Sequence, residues 1–150
     1  MGYTIVFIDE KEHLLQSFRL HVPEEDLRII RAENGDEGAK TARDIRPDAI
    51  VLSADIPNGF STCRTIKKDV DLTGVPLILV SDQVDAATFE KHSSLPTRAD
   101  SYLLGPLTGE NLASLMEEYL PLLGRKQNKN EQNSGPSSPP PPPIPNANSN

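Results

Sequence analysis

Arg46-Pro47-Asp48-Ala49-Ile50-Val51-Leu52-Ser53-Ala54-Asp55-Ile56-Pro57-Asn58-Gly59 is the stretch on which the reading of this chain turns. Ala49 to Leu52 is a short, uninterrupted apolar run. It is bounded by proline and polar residues, and it has no room for a helical period. Runs of this kind are strands covered on both faces, the pattern of a parallel sheet. Two further runs share the character: Thr4-Ile5-Val6-Phe7-Ile8 and Val75-Pro76-Leu77-Ile78-Leu79-Val80. Leu27 to Ala32 is a weaker case, and Ser101 to Leu104 is short.

Between these runs the apolar spacing lengthens to that of a helix. Leu14, Leu15, Phe18 and Val22 form one stripe, stopped near Pro23. Ala39, Ala42 and Ile45 form a second before Pro47. Phe60, Cys63 and Ile66 form a third, ending near Gly74. Asp85 to Lys91 is a weak fourth. Leu112, Leu115, Met116 and Tyr119 form a fifth, from Thr108 to about Pro121. Strand and helix alternate five times. The expected fold is therefore α/β: a five-stranded parallel sheet of order 2-1-3-4-5, doubly wound, with helices on both faces. In such sheets ligands bind at the carboxyl ends of the strands, near the switch between strands 1 and 3. That rule selects Asp9, Glu10, Ser53 to Asn58, Ser81 and Gly105-Pro106 as the region to inspect.

Composition divides the 150 residues in two. Of 14 prolines, seven lie in the last fifteen residues (Pro136, Pro139 to Pro143, Pro145). The segment from Gly124 to Asn150 is polar and Pro-rich, with too little apolar surface to offset its ordering entropy, so residues 124–150 are expected to be a disordered linker or tail. Residues 1–123 are expected to form one domain with a real core. The chain carries 15 Lys and Arg against 22 Asp and Glu, a net charge of −7; Arg125, Lys126, Lys129 and Glu131 put +2 on the tail, leaving −9 on the domain. So acidic a domain repels a phosphate backbone, which argues against nucleic acid as a partner. The single cysteine, Cys63, excludes an internal disulfide and a cysteine-based zinc cluster. Its spacing with Phe60 and Ile66 marks it as a core thiol. No apolar run is long enough to span a bilayer, and Asp9 and Glu10 interrupt the N-terminal apolar stretch too early for a signal peptide. The expected location is cytoplasmic, without membrane insertion.

Five landmarks, in this order and spacing, resemble the receiver domains of response regulators, the CheY-like family, over about residues 3 to 122. They are Ile8-Asp9-Glu10, Arg46 to Leu52, Pro57 with Gly59, Val75 to Ser81, and Ala99 to Pro106. The resemblance implies a phosphoacceptor aspartate that attacks a phosphoryl group. It implies Mg²⁺ held by the acidic pair and that aspartate, a lysine before the last proline, and a Ser or Thr hydroxyl that binds a phosphoryl oxygen. The family places the acceptor six residues after the lead-in proline and four before the loop proline. Counting from Pro47 and from Pro57 gives position 53 both ways, and position 53 is serine. The lysine position is Gly105. Nucleophile and cation are both missing, and their charges cancel. A serine needs an adjacent base, and His13, His21 and His92 all fall in helical segments or a loop, none placed to serve Ser53.

The expected reading is a pseudo-receiver, not an enzyme: a receiver fold without phosphotransfer that serves as a protein-interaction module. The degenerate pocket is Asp9, Glu10, Ser53, Asp55, Ser81 and Gly105. No metal is expected beyond weak Mg²⁺ at Asp9 and Glu10. Asp55 is expected in a local turn or loop hydrogen bond, and the pocket is expected to be water-filled or collapsed. Tyr102, Phe89 and Lys91 are the expected partner-binding face. Leu52-Ser53-Ala54-Asp55-Ile56 and Lys91-His92-Ser93-Ser94-Leu95 further resemble the degenerate receivers of social-gliding motility. That implies a setting in bacterial motility or polar localisation and room for a coiled coil or other output region beyond Asn150. Two alternatives stand beside this reading. One is an atypical receiver phosphorylated on Asp55 or Ser53; the other is a sensor of a small ligand or anion over Ser53 and Ser81. By the same resemblance, Gly105-Pro106 is expected to be cis.

Overall fold

A computed structural model describes residues 2–121. The expected linker at 124–150 lies outside the described residues. Five parallel strands, β1 (Tyr3–Ile8), β2 (Leu27–Ala32), β3 (Ala49–Ser53), β4 (Leu77–Ser81) and β5 (Ser101–Leu104), form one sheet of order β2-β1-β3-β4-β5. Five helices connect or follow them: α1 (His13–Arg19), α2 (Gly35–Ile45), α3 (Gly59–Lys68), α4 (Ala86–His92) and α5 (Gly109–Met116). A single 3₁₀ turn, Glu24–Asp26, leads into β2. This is the architecture the alternation implies.

The two-residue period of the strands divides the core between the two faces of the sheet. Ile5, Phe7, Ala49, Val51, Ile78 and Val80 turn one way, onto Leu14, Phe18, Leu112 and Met116 of α1 and α5. Val6, Ile8, Ile50, Leu52, Leu77 and Leu79 turn the other way, onto Ala39, Ala42, Cys63, Ile66 and Phe89 of α2, α3 and α4. The middle of each central strand is therefore apolar on both faces (Ile5 to Ile8, Ala49 to Leu52, Leu77 to Val80), which is why they read as continuous runs, with Ser53 and Ser81 only at the carboxyl ends. Cys63 is the core thiol expected: fully buried, with burial pushing its pKa up to about 12.

Local chemistry sets the helix starts. Asn34 caps α2 by accepting from Glu37 N (2.9 Å), Asp85 caps α4 by accepting from Thr88 N (2.9 Å), and Thr108 caps α5 by accepting from Asn111 N (3.0 Å). At the start of α5, Gly109 donates its N–H to Ser17 Oγ (2.8 Å). A β-carbon at Gly109 would strike the carbonyl of Ser17, so glycine is what lets α5 close onto α1.

Several ends differ from the apolar stripes. α3 stops at Lys68, because Asp69 turns extended and its carbonyl accepts from Leu72 N and Thr73 N. β4 starts at Leu77 instead of Val75: the Val75 N–H is held by the Leu72 carbonyl, and Pro76 has none to give. α1 ends at Arg19 and α5 at Met116, each followed by a tighter turn with hydrogen bonds three residues apart, so Val22 and Leu120 stay buried without being helical. The Gly105-Pro106 bond is cis, as expected.

Candidate functional site

At the carboxyl ends of β1, β3 and β4 the chain leaves the sheet in three loops that surround a cavity of about 260 Å³. Parallel pairing places Ser53 level with Val80, so the residue ending β3 stands one step from Ser81, which ends β4. Asp9, Glu10, Ser53 and Asp55 line the cavity as the sequence predicts. Ser81 is fully buried behind it, and Gly105 is not among its lining residues.

Ser53 and Ser81 do not bond to each other. Ser53 Oγ accepts the N–H of Asp55 (3.1 Å). The Asp55 carboxylate reaches across to β4. Its Oδ1 accepts the Ser81 hydroxyl proton (2.6 Å), and its Oδ2 accepts the N–H of Asp82 (2.9 Å). Ser81 Oγ in turn accepts from Gln83 N (3.0 Å) and Val84 N (2.8 Å), which winds the β4–α4 loop around it. The expectation of a local Asp55 hydrogen bond holds for its backbone N–H on Ser53 Oγ, while its carboxylate makes long-range bonds instead. The bonds span 26 and 27 residues, because parallel pairing makes distant loops neighbours. Nor is this part of the pocket open: an O–H and an N–H converge on an anion, and Asp55 supplies it.

Asp9 faces this carboxylate. Its Oδ1 accepts from Lys11 N (3.1 Å). Its pKa is raised above the ordinary carboxylate range, first by burial, while the Lys11 N–H lowers it and the negative charge of Asp55 raises it further. Glu10 is exposed. The set does not fit a Mg²⁺ ion. Position 53 offers a hydroxyl where a carboxylate is needed, both Asp55 oxygens are engaged, and among the described residues no three His, Cys, Asp or Glu side chains are grouped to hold a metal.

Asp82 packs against Gly105. Its Oδ1 accepts the N–H of Leu107 (3.1 Å), and its carboxylate lies where a side chain at 105 would start; its Cα is 3.0 Å from a β-carbon built on Gly105. Glycine here leaves room for Asp82. Lys11, Asp82, Gln83 and Leu107, which the sequence does not single out, also line the cavity, as does His13. His13 lies in a helical segment as expected: it is the first residue of α1 and stands at the cavity wall, and among the described residues no hydrogen bond joins it to Ser53. Its position directly after the Asp9-Glu10 loop is the signal that could have found it.

The expected interaction face is partly corrected. Phe89 is buried at 4% exposure, because α4 turns Phe89 and His92 onto the sheet. Lys91 is exposed, and Tyr102 is half-buried at the edge strand. The Tyr102 hydroxyl meets His92 Nδ1 (2.6 Å) and accepts from Ala99 N (3.0 Å), with its ring 4.9 Å from that of Phe89. Burial raises the Tyr102 pKa and lowers that of His92.

No protein-family model matches the chain. Among curated proteins it is 28% identical over 111 residues to the transcriptional regulatory protein AfsQ1 of Streptomyces coelicolor, covering 73% of this chain and 47% of that one. It thus spans about half the length of that relative. It is 26% identical over 120 residues to protein PilH of Pseudomonas aeruginosa (77% of this chain, 96% of that protein). It is 23% identical over 122 residues to the polar-differentiation response regulator DivK of Brucella anthropi (80% and 98%). Among solved structures, a putative response regulator from Chloroflexus aurantiacus superposes with a TM-score of 0.68 at 17% identity, covering 81% of this chain and 99% of that one. Sequence relatives and shared fold together support a response-regulator receiver domain of the CheY-like type. Among the described residues no helix is long and apolar enough to cross a membrane.

Proposed function

We propose that this domain is a pseudo-receiver, a receiver fold that signals by protein contact and not by phosphoryl transfer. The observation that carries the reading is the Asp55 carboxylate on Ser81 Oγ and Asp82 N. The hydroxyl that would bind a phosphoryl oxygen already holds an anion from its own chain. Ser53, at the acceptor position, has no hydrogen-bonded base, and Gly105 brings no cation. An Asp55 phosphoacceptor would have to free at least one of its two engaged oxygens before it could attack, and among the described residues no metal set stands ready to assist it. The domain is then no enzyme and requires no cofactor.

Its partner is a protein, met on the α4–β5 face around Tyr102 and Lys91. Bacterial motility or cell polarity in the cytoplasm is the setting that the sequence resemblance and the similarity to DivK favour. The Pro-rich segment would act as a spacer toward an output region.

The test is an amide NMR titration of the full chain, with Mg²⁺ added first and beryllofluoride second. Absence of shifts at Asp9, Ser53, Asp55 and Tyr102 supports the proposal. Saturable shifts running from the cavity to Tyr102 would overturn it in favour of an atypical phosphorylatable receiver. Shifts with phosphate or fluoride alone would favour an anion sensor.

A further inference from the structure

We propose that the groove between α3 and α4 binds an acidic peptide carrying an apolar anchor side chain. This rests on the interaction-module reading and extends it from the α4–β5 face, past Lys91 and His92, to the adjoining α3–α4 groove, naming the chemistry of a partner there.

The groove encloses about 610 Å³ and includes Phe60, Arg64, Lys68, His92, Leu95 and Pro96 among its walls. Its apolar part is Phe60, Leu95 and Pro96. The Phe60 ring stands 5.0 Å from His92 and 6.1 Å from Phe89, so it is braced from beneath, while Leu95 is 43% exposed. A large aliphatic side chain half in water beside a braced aromatic offers an apolar anchor side chain a surface to pack on. Arg64 and Lys68 are exposed and lie four residues apart on α3, hence on one face of the helix. Neither forms an ion pair among the described residues, whereas the neighbouring Lys67 is committed to Asp100 at 2.8 Å. Lys91 stands on the α4 side.

Charge decides the occupant. No Asp or Glu lines the groove, although the domain carries a net charge of −9. A local cationic strip on an acidic body attracts a short acidic ligand, while the rest of the surface repels a long polyanion. The chain's own Pro139 to Pro145 segment is apolar but follows Arg125, Lys126 and Lys129, the wrong sign for this rim.

The test uses the full chain and a short fluorescein-labelled peptide of alternating glutamate and leucine, read by anisotropy. The double change Arg64→Glu with Lys68→Glu should weaken binding about tenfold or more, since exposed pairs are individually weak and reversal counts each twice. Leu95→Ser should weaken it about fivefold. Arg28→Glu, on the opposite edge strand β2, should change nothing. All four positions are exposed, so folding is preserved. No binding at millimolar peptide, or equal binding by the α3 double variant, would overturn the proposal. Tighter binding once Pro139 to Pro145 are replaced by Gly and Ser would assign the groove to the chain's own segment. Concentration-dependent dimerisation abolished by the double variant would assign it to a second copy. The beryllofluoride titration judges the interaction-module reading separately: cavity shifts together with peptide binding would sink that reading and leave the groove standing.

Discussion

Replacing Asp55 by alanine tests the central geometry directly. The substitution removes two acceptors, one 2.6 Å from Ser81 Oγ and one 2.9 Å from Asp82 N. A hydrogen bond to a charged group contributes about 1.5–3 kcal/mol where it is buried. Asp55 itself is exposed and Asp82 N reaches solvent, so the second bond is replaced by water for about 0.5 kcal/mol or less. Ser81 is fully buried and loses its acceptor, but the adjoining cavity of about 260 Å³ has room for a replacement water. That bond is then worth about 1 kcal/mol. Removing the repulsion between Asp55 and Asp9 returns a few tenths. The net cost is about 1 kcal/mol, or a Tm lower by about 4 °C for a domain of this size. Urea unfolding of the full chain measures it, and Asp55→Asn, which keeps one acceptor, should lose about half as much. The amides of Gln83 and Val84, held on Ser81 Oγ, should shift in both variants. A loss under about 0.3 kcal/mol with those amides unmoved would refute the claim that Asp55 organises the β4–α4 loop.

Three further outcomes follow from the same structure. Asp9 has its folded pKa raised by burial, so the folded state binds its proton more tightly than the unfolded chain; its contribution to stability falls as pH rises from about 3.8 through the raised value. Asp9→Asn should therefore stabilise the domain at neutral pH and leave acid stability nearly unchanged, as thermal melts at both pH values will show. His92 is shifted the other way by burial: its contribution is present above pH 6.5 and lost as pH falls through the folded pKa. The ring should resist protonation in an NMR titration, and His92→Gln should flatten stability over that window. Gly109→Ala should cost about 2 kcal/mol or more in urea unfolding, because the new methyl meets the Ser17 backbone at the α1–α5 contact; a loss under 0.5 kcal/mol would mean that α5 can retreat.

The fold was legible because its signals are local. β1, β3 and β4 are covered on both faces and therefore apolar through Ile5 to Ile8, Ala49 to Leu52 and Leu77 to Val80. The helices between them carry a different period, and Asn34, Asp85 and Thr108 mark starts by capping their own helices. The serine at 53 and the glycine at 105 were equally plain once the receiver resemblance supplied the spacings to count from Pro47, Pro57 and Pro106. What fills the vacated site was not, since it depends on which loops parallel pairing makes adjacent and on side-chain direction once they are. Asp55 and Ser81 are remote in the chain, and nothing at either position announces that one will accept from the other. Asp82 carried no signal in the sequence; its carboxylate matters because it lies beside Gly105 and accepts from Leu107 N. Phe89 and Lys91 stand two residues apart on α4, yet one is core and the other surface. A seven-residue helix has too few turns for its periodicity to fix its rotation, so only packing against the sheet decided which side faced in.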